Sequence, residues 1–187
     1  MEDDLKKACE VLRKGGVIIY PTDTIWGIGC DATNEDAVKR VYEIKGRSDS
    51  KSMLTLLDSP DRLHLYVNDL PDIAYDLLEC ADKPVTIIYS GAKNLATNLI
   101  ASDGTVGIRI TKEAFSQALC KRFGKPVVST SANFSGEPSP ANFSEINPDL
   151  LRLTDYVVHY RRDETQKSKP SSIIRLEKNV EVKIIRE

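Results

Sequence analysis

The sequence predicts an α/β fold in one domain spanning residues 1–187: a mixed sheet with helices on its flanks. Apolar runs of strand length recur at 17–20, 53–57, 84–89 and 105–110. Between them, apolar residues return at helical spacing. Glycines and prolines punctuate the boundaries, as at Gly15-Gly16, Pro21, Pro71 and Gly124. Such interleaving yields about eight strands and about five helices, the pattern of a mixed α/β sheet. At 187 residues the chain is long enough to bury a sizeable core.

The elements follow in order. Leu5, Ala8, Cys9 and Leu12 share one helical face, and Gly15-Gly16 ends that helix. Val17 to Tyr20 is a continuous apolar run, hence an interior strand, stopped by Pro21. Thr22-Asp23-Thr24 then places hydroxyls and a carboxylate at a strand end, where open sheets bind ligands; the same residues also suit a capped turn. Thr33 or Asn34 caps the next helix, whose buried face is Ala37, Val38, Val41 and Ile44. Met53 to Leu57 is a strand. Ser59-Pro60 and Asp69-Leu70-Pro71 are helix starts, with Ile73, Ala74, Leu77 and Leu78 on the second core face. Pro84 to Tyr89 is a strand, and 90–104 a polar connection with one helical turn. Thr105 to Ile110 alternates: Val106, Ile108 and Ile110 on one face; Thr105, Gly107 and Arg109 on the other, which borders either a cleft or water. Lys112 to Phe123 is a helix. Pro126 to Val128 is a short strand running into Ser129-Thr130-Ser131-Ala132-Asn133, either a donor surface for anionic oxygens or a polar turn. Asp155 to Tyr160, Ser172 to Leu176 and Val180 to Ile185 are the last strands. The charged stretch Arg161 to Lys169 is a candidate lid or a solvated loop.

Composition excludes several classes. A net charge of −2 gives no global pull toward nucleic acid or acidic lipid. No apolar run is long enough to span a bilayer, and the acidic start lacks the order of a signal peptide. Cys9, Cys30, Cys80 and Cys120 are widely spaced, and the two histidines add no metal-ligand spacing. The plain reading is a reduced, cytoplasmic protein without a metal site of its own.

One stretch carries concentrated charge. Lys45-Gly46-Arg47-Ser48-Asp49-Ser50-Lys51 follows a helix and precedes a strand. Cations beside a glycine can hold a polyanion, although no glycine-rich run makes this a P-loop. A helix C-terminus also favours Lys45 with no ligand present.

These segments resemble the YrdC-type threonylcarbamoyl-AMP synthase family, in its short form without an additional C-terminal domain. The matching motifs are Pro21-Thr22-Asp23-Thr24 with Gly27 and Gly29, then Lys45-x-Arg47-x-x-x-Lys51. Val106-Gly107-Ile108-Arg109-Ile110, Ser129-Thr130-Ser131-Ala132-Asn133-x-Ser135-Gly136 and Ser171-Ser172-Ile173-Ile174-Arg175-Leu176 complete the set. They occur in family order and span nearly the whole chain. The resemblance implies an open, twisted sheet with a positively charged concave face. It implies a nucleotidyltransferase that joins L-threonine, bicarbonate and ATP into threonylcarbamoyl-AMP and pyrophosphate. A downstream transferase would carry that product to the adenosine next to the tRNA anticodon; direct tRNA binding stays open. By the same resemblance, Thr24, Arg109, Ser129 and Ser171 match threonine-binding positions. Arg47, Lys51, Thr105, Ser131, Asn133, Ser139 and Arg186 match nucleotide-binding positions, and Lys45 with Arg47 forms the catalytic basic motif. Departures occur at Ser52, Leu56, Ala81 to Pro84, Thr111 and Ser172.

The residue types suit this chemistry on their own account. Attack of a carbamate on an α-phosphate needs two anions held together and charge neutralised on the leaving group. Arginine, lysine and magnesium carried with ATP do this, and no acid/base carboxylate pair is required. A binding module for RNA and a carbamoyl-transfer enzyme with another acceptor are the rival expectations. The scarcity of aromatics interleaved with the cations counts against RNA.

Overall fold

The computed structural model describes residues 1–46, 53–68, 70–166, 168, 170–176 and 181–186. Helix α1 (Glu2–Arg13) buries Leu5, Ala8, Cys9 and Leu12, with Glu2, Asp3 and Asp4 in its first turn complementing the helix dipole. A turn through Gly15, at φ +76°, leads into β1 (Ile18–Tyr20). Strand β2 (Gly27–Gly29) returns antiparallel to it. Helix α2 (Glu35–Lys45) starts where Asn34 Oδ1 accepts the Ala37 N–H at 3.1 Å, and ends at left-handed Gly46. Then come β3 (Leu54–Leu57), α3 (Ile73–Glu79), β4 (Val85–Ser90) and β5 (Thr105–Ile110). Helix α4 (Ala114–Phe123), β6 (Val127–Ser131), α5 (Pro148–Arg152), β7 (Tyr156–Val157), β8 (Ser172–Leu176) and β9 (Val182–Arg186) complete the chain.

The strands form one sheet in the order β7-β1-β2-β6-β3-β5-β4-β8-β9. It is mixed: β1/β7, β3/β5 and β4/β8 are parallel, and the other pairings antiparallel. Thr55, Ile87, Ile108 and Val128 share one face and are fully buried, so that face carries the core. No helix among the described residues is long and apolar enough to cross a membrane.

Several elements differ from the sequence expectations. Strand β2 was not expected, because Gly-Ile-Gly lacks the side chains that favour a strand. The close approach of β6 explains it: a Cβ on Gly29 would lie 1.8 Å from the Val128 carbonyl oxygen. Strand β6 continues through Ser129, Thr130 and Ser131 instead of ending at Val128, because those residues pair with β2 and β3. Strand β7 holds only Tyr156 and Val157 of the expected 155–160. Asp155 instead turns its carboxylate to the Val17 N–H at 2.7 Å and to Arg40. Helix α4 starts two residues later than expected, since Glu113 caps it by accepting the Ser116 N–H at 2.7 Å. The 60–65 segment is a 3-10 helix, and β9 runs through 182–186, one residue past the expected end at Ile185, while the expected first residue, Val180, lies outside the described residues.

Candidate active site

Register decides which side chains share the other face of the sheet. Leu54 lies opposite Ser129, and Leu56 opposite Arg109. Gly107 lies opposite Ile88, Ile88 opposite Arg175, and Ile173 opposite Arg186. Residues on facing positions of paired strands point to the same side. Alternation therefore gathers Thr105, Gly107, Arg109, Ser129, Ser131 and Arg175 on one face, from three strands separated in sequence. A cleft of about 350 Å³ opens over this face, within the range of small-ligand sites.

The cleft brings together eight of the expected site residues: Thr24, Thr105, Arg109, Ser129, Ser131, Ser139, Ser171 and Arg186. Asn133 is buried but turned away, its amide donating to the Phe134 and Glu137 carbonyls at 2.9 and 2.8 Å. Arg47 and Lys51, like the Ser52 departure, lie outside the described residues. The Leu56 departure is fully buried beside Arg109.

Lys45 was expected to present its charge at the end of α2. It is only 2% exposed and is not part of the cleft wall. Its ammonium donates to the carbonyls of Ser131 at 2.5 Å and Asn133 at 2.7 Å, while its own carbonyl accepts the Ser135 N–H at 2.8 Å. The end of α2 thus grips the segment after β6 at three points. Gly46 ends the helix in the left-handed region, with nothing near the position a Cβ would take.

Arg109 is 2% exposed, which excludes an ordinary surface role. Its Nε lies 3.1 Å from Asp23 Oδ1. Neither atom has a partner with hydrogen-bond angles, so the pair is held by charge more than by a directed bond. Burial pulls the Arg109 guanidinium below its ordinary pKa, opposed by Asp23, and nearby Arg186 pulls it further down. Burial also raises the Asp23 carboxyl, against the Arg109 charge and the N–H groups of Asp23 and Lys112. The Thr22–Thr24 turn holds this carboxylate. Thr22 Oγ1 donates to the Ile25 carbonyl at 2.7 Å and accepts the Thr24 N–H at 3.1 Å. With that proton committed, the Thr24 hydroxyl, 3.1 Å away, donates to Thr22 and keeps its lone pairs for the cleft. Arg161, at φ +69°, buttresses the turn from outside: it donates to the Thr22 carbonyl at 3.2 Å and pairs with Glu113 and Glu164. The start of the candidate lid is thereby fastened to the floor.

At the other end, Ser171 shares a 2.9 Å hydrogen bond with Thr86, and Arg186 donates Nε and Nη2 to the Ser171 carbonyl at 3.0 and 2.6 Å. Sequence reading missed Thr86, Trp26 and Arg175 as cleft residues. Arg175 was legible in principle, because it alternates with Ile173 along a strand that the sequence does mark. Among the described residues, the charged side chains of the cleft wall are Arg109, Arg175 and Arg186, with no carboxylate. Such a wall suits anions.

A family model named Sua5_yciO_yrdC, described as telomere recombination, matches residues 10–187. The threonylcarbamoyl-AMP synthase of Pseudoalteromonas translucida is 33% identical over 160 residues, covering 84% of this chain and 86% of that protein. The threonylcarbamoyl-AMP synthase of Xanthomonas euvesicatoria is 37% identical over 158 residues, covering 83% and 84%. The crystal structure of P. abyssi Sua5 complexed with L-threonine superposes with a TM-score of 0.87 at 23% identity. That match covers 100% of this chain but 54% of the P. abyssi chain, so this chain spans about half of that structure and shares its fold.

Proposed function

The chain belongs to the Sua5–YciO–YrdC family, and from that premise we propose that it is an L-threonylcarbamoyladenylate synthase. It condenses L-threonine, bicarbonate or CO2, and ATP into threonylcarbamoyl-AMP and pyrophosphate. The observation that carries this reading is the cleft wall itself: hydroxyls and arginines on one sheet face, with no carboxylate among the described lining residues. Such a wall accepts an amino-acid carboxylate and a nucleotide together.

The threonine amine attacks the carbon of CO2 or bicarbonate, forming a carbamate; from CO2 the amine proton is released, and from bicarbonate it leaves with the expelled hydroxide as water. A carbamate oxygen then attacks the α-phosphorus. The bond to the β-phosphate oxygen breaks, and pyrophosphate leaves with the electron pair. Arg109 binds the threonine carboxylate, with its guanidinium fixed by Asp23. Thr24, through its lone pairs, and Ser129 orient the amine and hydroxyl. Thr105, Ser131, Ser139 and Arg186 hold the nucleotide, and Arg47 and Lys51 join them by family resemblance. Lys45, which the resemblance places with Arg47 in the catalytic basic motif, braces the loop that carries Ser131. Positioning and charge neutralisation supply the acceleration. Magnesium would come with ATP and neutralise triphosphate charge, and the described wall would offer it hydroxyls and no carboxylate. The product would pass to a transferase acting on tRNA.

Mass spectrometry tests this reading. Threonine, bicarbonate and ATP together should yield threonylcarbamoyl-AMP, with pyrophosphate released in step. Pyrophosphate release at full rate without bicarbonate would refute it.

A further inference from the structure

Two described residues other than glycine hold a positive φ: Asn94 at +54° and Arg161 at +69°. Asparagine visits the left-handed region readily, whereas an arginine there brings its Cβ against the following carbonyl. The backbone alone therefore does not call for an arginine at 161, and its side chain must account for it. That side chain is 25% exposed and reaches three segments. Nε and Nη2 meet the two carboxylate oxygens of Glu164 at 2.8 and 2.7 Å, a fork that fixes the guanidinium plane. Nη1 is thereby aimed inward: it donates to the Thr22 carbonyl at 3.2 Å and lies 3.3 Å from Glu113 Oε1.

These two targets flank the Arg109–Asp23 contact. Thr22 precedes Asp23 in its turn. Glu113 follows Lys112, whose N–H supports the Asp23 carboxylate, and both come just after Arg109 at the end of β5. Glu113 is a fixed post, since its Oε2 accepts the Ser116 N–H at 2.7 Å and the Ser116 hydroxyl at 2.8 Å at the start of α4. Arg161 ties the Thr22–Thr24 turn to that post. Behind the turn lies a cavity of about 10 Å³, room for about one water, walled also by Arg161, Glu164 and Ser168. Polar ties more than packing hold the turn from that side. Thr24 and Trp26 line both this cavity and the cleft, whereas Arg161 lines only the small cavity. The turn is thus a partition, with the threonine site on one side and Arg161 on the other. Because Asp23 Oδ1 and Arg109 Nε meet without hydrogen-bond angles, no directed bond between those atoms sets their orientation, and the position of the turn does.

We propose that Arg161 is a positioning residue for threonine: it sets the Thr22–Thr24 turn against the start of α4, and so the direction in which Arg109 and Thr24 meet the substrate. The inference rests on the synthase reading and adds a residue that the motif resemblance does not assign. Arg161→Gly removes the guanidinium and at the same time relieves the left-handed backbone, which offsets part of the lost stability. Calorimetry with L-threonine and with magnesium-ATP, thermal unfolding and steady-state pyrophosphate release compare this variant and Arg161→Lys with the wild type. Arg161→Gly should weaken threonine about fivefold and raise its KM to match, with kcat at saturating threonine and ATP affinity changed less than about twofold. Arg161→Lys should lie between, because a lysine keeps the charge without the fork. Unchanged threonine affinity in Arg161→Gly would overturn the assignment. Equal losses of threonine and ATP affinity with a lowered melting temperature would also overturn it, making Arg161 a brace of the whole fold. A wild-type protein that binds no threonine would refute the synthase reading beneath it, and the inference with it.

Discussion

Replacing Lys45 by methionine separates bracing from catalysis. Methionine keeps most of the side-chain length and apolar stem, and removes the ammonium. Two charge-assisted hydrogen bonds, at 2.5 and 2.7 Å, disappear. The Ser131 carbonyl keeps the Asn133 N–H at 2.9 Å, so the Asn133 carbonyl bears most of the loss. A buried acceptor left without its donor costs about 1–3 kcal/mol, and relief of the ammonium desolvation offsets part of the lost charge-assisted bonding. A net loss of about 2–4 kcal/mol follows, which in a chain of this size lowers the melting temperature by about 4–16 °C. Turnover should fall with it, because the Ser131–Ser139 segment loses two of its three ties to the end of α2 and keeps only the Ser135 N–H to the Lys45 carbonyl. Thermal unfolding and steady-state pyrophosphate release on the same preparations decide the matter. A Lys45→Met protein that melts at the wild-type temperature yet fails to turn over would refute the bracing argument and place Lys45 in the chemistry.

Two further outcomes are expected. Arg109→Met should weaken threonine binding on the order of tenfold to a hundredfold, from a charge-assisted contact of about 1.5–3 kcal/mol. It should also destabilise the fold by leaving Asp23 buried without its cation; adding Asp23→Asn should restore the melting temperature and leave threonine binding weak, as calorimetry and thermal unfolding will show. The second concerns pH. Burial alone would raise the Asp4 carboxyl, but hydrogen bonds from the Tyr156 hydroxyl, the His159 ring and the N–H groups of His159 and Tyr160 outweigh it and hold its pKa below 3.8. The unfolded chain then binds the proton more readily, so this stabilisation is present above the unfolded pKa and lost as pH falls through the folded one. Asp4→Asn should flatten the loss of stability as pH falls below 3.8, seen in denaturant titrations; an identical pH profile in the two proteins would count against it.

Much of the fold was legible because its signals are local. The helical spacing in α1 and α2, the caps at Asn34 and Gly124, and the alternation of β5 depend on residues close in sequence. The misses were tertiary. Strand β2 exists because β6 comes close enough to exclude side chains, which no local propensity for Gly-Ile-Gly reports. The cleft residues on β5, β6 and β8 were correctly given a face or a motif, but strand order decides which of them meet. Lys45 shows the limit most plainly. A lysine in the last turn of a helix reads as a solvated or ligand-facing cation, and only the arrival of the Ser131 and Asn133 carbonyls, 86 and 88 residues later, reveals its work.

The cleft itself follows from a shortage of side-chain volume on one face. The opposite face carries Thr55, Ile87, Ile108 and Val128 in the core. On the cleft face, Gly27, Thr105, Gly107, Ser129 and Ser131 are too small to fill the space above them and too polar to be covered by an apolar layer at no cost. Gly107 sits in the middle of this floor. A Cβ there would lie 3.3 Å from Thr86 Cγ2 and 3.8 Å from Leu54 Cβ, so even a methyl group would crowd the floor between the two ends of the site. Gly27 is under a matching constraint, since a Cβ would lie 3.0 Å from the Ser129 hydroxyl and press on a residue assigned to threonine. Gly27 in β2 and Gly107 in β5, which weaken their strands by propensity, are therefore the glycines that leave room for a ligand, and side chains there would crowd the site.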